Sequence, residues 1–253
     1  MGIVNLDPHS FSGDGLSNIE VAVEQAHRMV DEGADIIDVG GESTRPNAGA
    51  IRADEELGRV LPVIQRLSAE LPVPVSIDTY KSEVAREAVA AGAVMINDVW
   101  GLRRDQALAS VAAESGVPVI ISQNQRDGTF GDFFPELIAS LRGSMQLALD
   151  AGVDRYSIII DPGVGFGKTV KQNLEIVRRL SELRELGRPI LLGTSRKSFI
   201  GLTLNLPVEE RLEGTAATVA IGIANGADIV RVHDVKEMVW VAKMTDAVVR
   251  GAT

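Results

Sequence analysis

Short apolar runs alternate along this chain with longer stretches in which apolar residues recur at three- and four-residue spacing. The short runs predict buried parallel strands at 3–5, 36–39, 75–78, 94–97, 117–121, 157–161, 190–194 and 229–233. The longer stretches predict amphipathic helices at 19–31, 54–71, 82–91, 135–151, 171–186, 209–225 and 236–249. A weak repeat marks the joints between them: Glu32-Gly33-Ala34-Asp35-Ile36-Ile37-Asp38, Ala91-Gly92-Ala93-Val94-Met95-Ile96-Asn97 and Asn225-Gly226-Ala227-Asp228-Ile229-Val230-Arg231. In each, a helix ends at a glycine that supplies the left-handed closing turn, and a strand starts at once. Gly116-Val117 and Gly152-Val153 repeat the signal more faintly. Eight alternating strand–helix units in a chain of this length predict an α/β protein, a (β/α)8 barrel, with an open doubly wound sheet as the alternative. No linker-like break in composition interrupts the pattern, so residues 1–253 read as a single domain.

The apolar runs end in polar residues: Asn5, Gly40 to Glu42, Asp78, Asn97, Asp161 and His233. In a barrel these ends converge on the C-terminal mouth, where such folds place their sites. The run that ends in Ser195-Arg196-Lys197 delivers a lysine there. Asp78, Asn97 and Asp161 taken singly are equally well strand-end caps. Together with Lys197 they suit a ligand with adjacent N–H donors, such as an aminopyrimidinone edge. Arg231 and His233 alternate on the last strand and so share a face. With Arg45 and Asn5 they could hold a diphosphate and its Mg²⁺, since guanidinium matches phosphate oxygens and magnesium prefers oxygen ligands. Two long loops, 6–17 and 40–53, read as lids over the mouth.

Gly163-Val164-Gly165-Phe166-Gly167-Lys168-Thr169 fits neither nucleotide motif. Pro162 stands where a phosphate loop needs its first glycine, and the third glycine of a dinucleotide fingerprint comes one residue early. These glycines read instead as backbone brought close to a ligand plane, with Phe166 as part of a pocket wall. His27 falls inside a helix and reads as a surface or packing residue.

Composition narrows the class. The 253 residues are 45% hydrophobic but only 4% aromatic, with 25 glycines, which fits an aliphatic α/β core. There is no cysteine, which removes thiol and disulfide chemistry and agrees with a cytoplasmic location. A net charge of −10 argues against a general nucleic-acid surface. No uninterrupted apolar run long enough to span a bilayer appears, so no membrane association is expected.

The ordered motifs Gly2-Ile3-Val4-Asn5 with Pro8 and Ser10-Phe11-Ser12, Asp38-Val39-Gly40-Gly41-Glu42-Ser43-Thr44-Arg45-Pro46, Ser76-Ile77-Asp78-Thr79, Ile96-Asn97-Asp98, Asp161-Pro162-Gly163 with Phe166-Gly167-Lys168, Ser195-Arg196-Lys197-Ser198-Phe199 and Arg231-Val232-His233 resemble dihydropteroate synthases along nearly the whole chain. The resemblance implies a TIM barrel that joins 6-hydroxymethyl-7,8-dihydropterin diphosphate to 4-aminobenzoate. It implies that Asp78, Asn97, Asp161 and Lys197 hold the pterin with Arg231 stacked on it. Asn5, Arg45, Arg231 and His233 would attend the Mg²⁺-diphosphate. Thr44, Pro46, Phe166 and Ser195 would border the aminobenzoate pocket. It further implies a departing diphosphate, a cationic pterin intermediate, a homodimer built on the late helices, and sulfonamide binding.

The chain departs from the family pattern in places. Asp7, His9 and the order Gly13-Asp14-Gly15 alter the first loop, and Ser122-Gln123 stands where the family commonly shows His-Met. The chain also starts almost directly in its first strand. The alternative from another class is a pterin-binding protein without synthase activity, either a regulatory paralogue or a methyltetrahydrofolate-type methyltransferase.

Overall fold

The computed structural model describes residues 1–6, 18–42, 49–126, 128 and 130–251. Eight parallel strands appear among them: β1 Gly2–Asn5, β2 Ile37–Gly40, β3 Val75–Asp78, β4 Met95–Asp98, β5 Val119–Ser122, β6 Ile158–Asp161, β7 Leu191–Leu192 and β8 Ile229–Val230. The first six form one sheet in chain order, and β7 pairs with β8. Two bridges close the ring. Ile160 pairs with Ile190 between β6 and the root of β7, and Gly2 pairs with Val232 just past β8. Across that last seam Val232 donates to Met1 O at 3.0 Å and Ile3 donates to Val232 O at 3.1 Å. Closure leaves no sheet edge, and the fold is the expected (β/α)8 TIM barrel.

Helices α1 Ile19–Asp31, α2 Ala53–Glu70, α3 Ser82–Ala90, α4 Ala107–Ser115, α5 Phe133–Asp150, α6 Val170–Arg179, α7 Ser198–Leu204, α8 Leu212–Ala224 and α9 Val235–Arg250 surround the barrel. The glycine joints behave as their chemistry requires. At Gly33, Gly92, Gly152 and Gly226 the glycine amide bonds back three residues, and the next residue bonds back five. Each glycine holds a φ between 94° and 115°. This is the Schellman closure, and the residue after it, Ala34, Ala93, Val153 or Ala227, is buried as the chain turns into the following strand.

Several boundaries differ from the periodicity. β7 and β8 are two residues each, although Arg231 still donates to Leu192 O at 3.0 Å and Val232 still bridges to Gly2. The expected helix at 171–186 tightens after Arg179 into a 3-10 segment, Leu180–Leu186, and the one at 209–225 starts only at Leu212. Helices α4 and α7 complete units of the expected alternation but were not placed by the apolar spacing. The apolar core between barrel and helices is continuous, and a second small cluster fills the barrel itself. On α9, Trp240 is 63% exposed, while Val239 and Val241 pack inward. His27 meets Glu70 on the surface at 3.0 Å, as a surface residue should.

Candidate active site

The barrel interior is built in two steps along each strand. Its floor consists of Met1, Met95, Ile120, Ile159 and Leu191, packed with Ile36 and Ile229. Successive strand side chains alternate faces, so the residue two positions on points inward again, nearer the mouth. Counting from the floor, Ile36 leads to Asp38, Met95 to Asn97, Ile120 to Ser122, Ile159 to Asp161, Leu191 to Gly193 and Ile229 to Arg231. A greasy plug therefore carries a polar layer directly above it.

That layer is wired across the barrel. Arg231 donates from Nε to Asp38 Oδ2 at 2.6 Å and from Nη2 to Asp78 Oδ2 at 2.8 Å, and Asn97 Nδ2 donates to the same Asp38 oxygen at 3.0 Å. Two buried carboxylates thus share one guanidinium. Burial pushes the Asp78 carboxyl up to about 7, against the pull of Arg231 and with help from the charge of Asp38. Asp161 is oriented from both sides, Oδ2 by the Ser122 hydroxyl at 2.8 Å and Oδ1 by the Gly163 amide at 2.8 Å.

Lys197 follows β7, where Arg196 takes a left-handed φ of 55° and forks onto Asp234. The turn aims the Lys197 ammonium at Val164 O, 2.5 Å away, and 4.8 Å from the centre of the Phe166 ring. Burial lowers its pKa to about 8, opposed by the charge of Asp161. Ser195 Oγ accepts the His233 amide at 3.1 Å and lies 2.9 Å from Nδ1 of the same imidazole. With that hydroxyl donating to Nδ1, the neutral ring carries its proton on Nε2.

Asn97, Asp161, Phe166, Ser195, Lys197, Arg231 and His233 line one cavity of about 210 Å³. Asp78 joins it through Arg231. Asn5 ends β1 in a continuous register row, paired with Gly40, which pairs with Asp78, which pairs with Asn97. Thr44, Arg45 and Pro46, and the altered first-loop residues Asp7 and His9, lie outside the described residues. The root of the second loop is described. Lys81 bridges Glu42 and the buried Glu56, and Arg59 holds Gly41 O at 2.8 Å.

The reading of the glycines at 163–167 as backbone laid against a ligand needs correction. A Cβ on Gly163 would stand 1.9 Å from Gln123 O, and one on Gly167 would stand 2.6 Å from the Gln125 carbonyl carbon. These two glycines are there to let two loops of the chain touch each other. Gly165 does line the cavity, against the Lys197 stem. Asp38, Ser122, Arg126 and Lys168 also belong to the site or its walls and were not singled out as site residues.

The profile described as pterin binding enzyme matches residues 1–233. A dihydropteroate synthase from Bacillus subtilis is 52% identical over 248 residues, covering 98% of this chain and 87% of that protein. The chain belongs to the dihydropteroate synthase family. Among solved structures, the dihydropteroate synthase of Clostridium difficile crystallised with pteroic acid superposes with a TM-score of 0.93 at 52% identity, covering 99% of this chain and 96% of that one. The Yersinia pestis dihydropteroate synthase in complex with a sulfonamide drug gives 0.95 at 37% identity, covering 100% and 94%. Membership of the dihydropteroate synthases makes the chain a transferase of the pterin-binding class, and the non-synthase alternative finds no support among these relatives.

Proposed function

We propose that the whole chain, as one barrel domain, condenses 6-hydroxymethyl-7,8-dihydropterin diphosphate with 4-aminobenzoate to give 7,8-dihydropteroate and diphosphate. The observation that carries this assignment is the pairing of an acidic, N–H-accepting polar layer with cations around one cavity. Asp161, its two oxygens fixed by Ser122 and Gly163, accepts N–H groups of the pterin. Asn97 and Asp78 complete that edge, and Lys197 donates to the pterin carbonyl. The Arg231 guanidinium, its edge taken by Asp38 and Asp78, offers its planar face for stacking.

The chemistry breaks the carbon–oxygen bond to diphosphate, which leaves with the electron pair. The pterin methylene cation is then attacked by the amine of 4-aminobenzoate, which loses a proton. No protein nucleophile is needed. The carboxylates of Asp78 and Asp161 stabilise the cation, and Arg45, Arg231 and His233 hold the departing anion. Thr44, Pro46, Phe166 and Ser195 border the amine pocket.

Asn5 suits a Mg²⁺ ion, because its carboxamide oxygen ends β1 on the mouth row and magnesium commonly takes its remaining oxygens from water and phosphate. When bound, that ion would neutralise charge on the diphosphate. A homodimer is supported by Trp240, Met244 and Val248 exposed along α9, with Ile221 of α8 and Leu202 of α7 also exposed. Among the described residues no helix is long and apolar enough to cross a membrane, which agrees with the proposed cytoplasmic location.

The test is diphosphate release from the pterin diphosphate, with and without 4-aminobenzoate, Mg²⁺ and a sulfonamide. Release that depends on Mg²⁺, yields dihydropteroate and is blocked by the sulfonamide supports the assignment. Retained pterin binding without turnover overturns it.

A further inference from the structure

The loop from Gly163 to Lys168 and the loop that follows β5 form one wall of the cavity, and the Lys168 side chain ties them. Lys168 Nζ lies 2.8 Å from Gly163 O, 2.9 Å from Gln123 O and 3.4 Å from Phe166 O. An ammonium has three N–H donors, and here each faces a carbonyl. Two of these carbonyls belong to the lysine's own loop and the third to the neighbouring one. Gln125 also donates to Phe166 O at 3.1 Å, and the glycines at 163 and 167 leave no side-chain volume between the loops.

Three carbonyl dipoles converging on one point repel each other unless a cation sits among them. The cation chosen is an expensive one. Burial lowers the Lys168 pKa to about 7, opposed by the charge of Asp161 and aided by the positive charges of Lys197 and Arg126. What the clasp holds in place is the Phe166 ring, which has the Arg126 guanidinium 5.1 Å from its centre on one contact and the Lys197 ammonium at 4.8 Å on another.

We infer that Lys168 is a positioning residue for the amine half of the reaction: by drawing three carbonyls onto one ammonium it fixes Phe166 as the wall against which the aminobenzoate ring packs. This rests on the synthase reading of the site. In the pterin half, Asn97 and Asp78 are wired through Asp38 and Arg231, away from Lys168, and Asp161 keeps its Ser122 bond and meets the clasp only through the Gly163 amide. Loss of the ammonium therefore separates the two substrates.

The experiment compares the parent enzyme, Lys168→Met and Lys168→Cys. Because the chain has no cysteine of its own, the introduced thiol can be alkylated selectively, with 2-bromoethylamine to restore an ammonium or with iodoacetamide to give a neutral amide. Lys168→Met is expected to raise KM for 4-aminobenzoate at least about tenfold while pterin diphosphate affinity stays within about threefold. The aminoethylated cysteine recovers the KM and the amide does not. Pteroic acid affinity by calorimetry reads the same contrast without turnover, so a parent enzyme that fails to turn over would overturn the synthase assignment without hiding this result. Unchanged aminobenzoate KM and pteroic acid affinity in Lys168→Met, or equal behaviour of the two alkylated forms, would overturn the inference. If Lys168→Met fails to fold, the alkylated pair decides.

Discussion

Arg231 Nε sits 2.6 Å from Asp38 Oδ2, a contact between the residue that follows the last strand of the barrel and the second strand. Asp38 is fully buried and also accepts from Asn97, so it fixes both the cation and the amide that face the cavity. Removing one partner of a buried, hydrogen-bonded pair costs about 3–5 kcal/mol, because the other charge is stranded. Asp38→Ala is expected to lower the urea midpoint accordingly and to abolish pterin binding. A variant with parental stability and binding would show that Asp78 alone suffices for Arg231.

Asp78, Asp98, Lys168 and Lys197 all have pKa values shifted toward neutrality, and of these Asp78 and Lys197, as the proposed pterin contacts, are expected to set a narrow optimum. In the proposed role Asp78 accepts a pair of pterin N–H groups fully when ionised, and its carboxyl, raised to about 7 by burial, ionises as pH climbs through that value. Lys197, lowered to about 8 by burial, loses its proton above it. For the free enzyme, kcat/KM for the pterin diphosphate should rise toward pH 7 and fall beyond 8. Asp78→Asn should flatten the acid limb while leaving the alkaline one. The sign for stability is separate. Between the ordinary value of 3.8 and about 7 the folded state holds a proton on Asp78 that the unfolded chain has released, so this group's contribution declines as pH rises through that window.

Lys197→Ala and Asp161→Asn remove single charge-bearing contacts from a preorganised site. Each should cut kcat by roughly 10²–10³-fold. Far-UV circular dichroism and the melting temperature should remain near parental. Near-normal turnover in either folded variant would reassign that residue to a structural part.

Gly163 and Gly116 offer a matched pair. Their φ values are 67° and 68°, so replacement by alanine incurs the same backbone penalty of about 1–2 kcal/mol. A Cβ at Gly116 meets nothing within 4 Å, whereas at Gly163 it meets Gln123 O at 1.9 Å. Gly163→Ala should therefore be far more destabilising than Gly116→Ala in thermal melts, and should raise KM for 4-aminobenzoate as well. Equal melting shifts would mean that the loop after β5 yields without cost.

Much of this was legible in the sequence because the barrel has two simple periods, a helical one outside and a strand one inside. Helix α1 has the expected bounds, and the Gly33, Gly92 and Gly226 joints close as expected. Helix α4 escaped notice because Ala107–Ser115 is small-residue-rich throughout and offers little contrast between faces. Helix α7 escaped because it is only seven residues long and follows the polar cluster at once. In the site, residues at run ends were visible as punctuation. Asp38 was not, since Val39 continues the run past it, although counting two from Ile36 finds it. Lys168 had no role in the sequence once the nucleotide motifs were rejected, because its partners are backbone carbonyls, one of them 45 positions away, and carbonyls leave no trace in residue type.

The apolar plug beneath the polar layer also makes the protein its own reporter. Met1 and Met95 are both in that plug, and Met95 stands two residues below Asn97. Methyl groups labelled with ¹³C at these positions would register occupancy of the mouth through changes in their magnetic environment, while touching neither substrate nor inhibitor. Ligands that fill only the outer rim and ligands that press down onto the polar layer would then be told apart spectroscopically, from underneath.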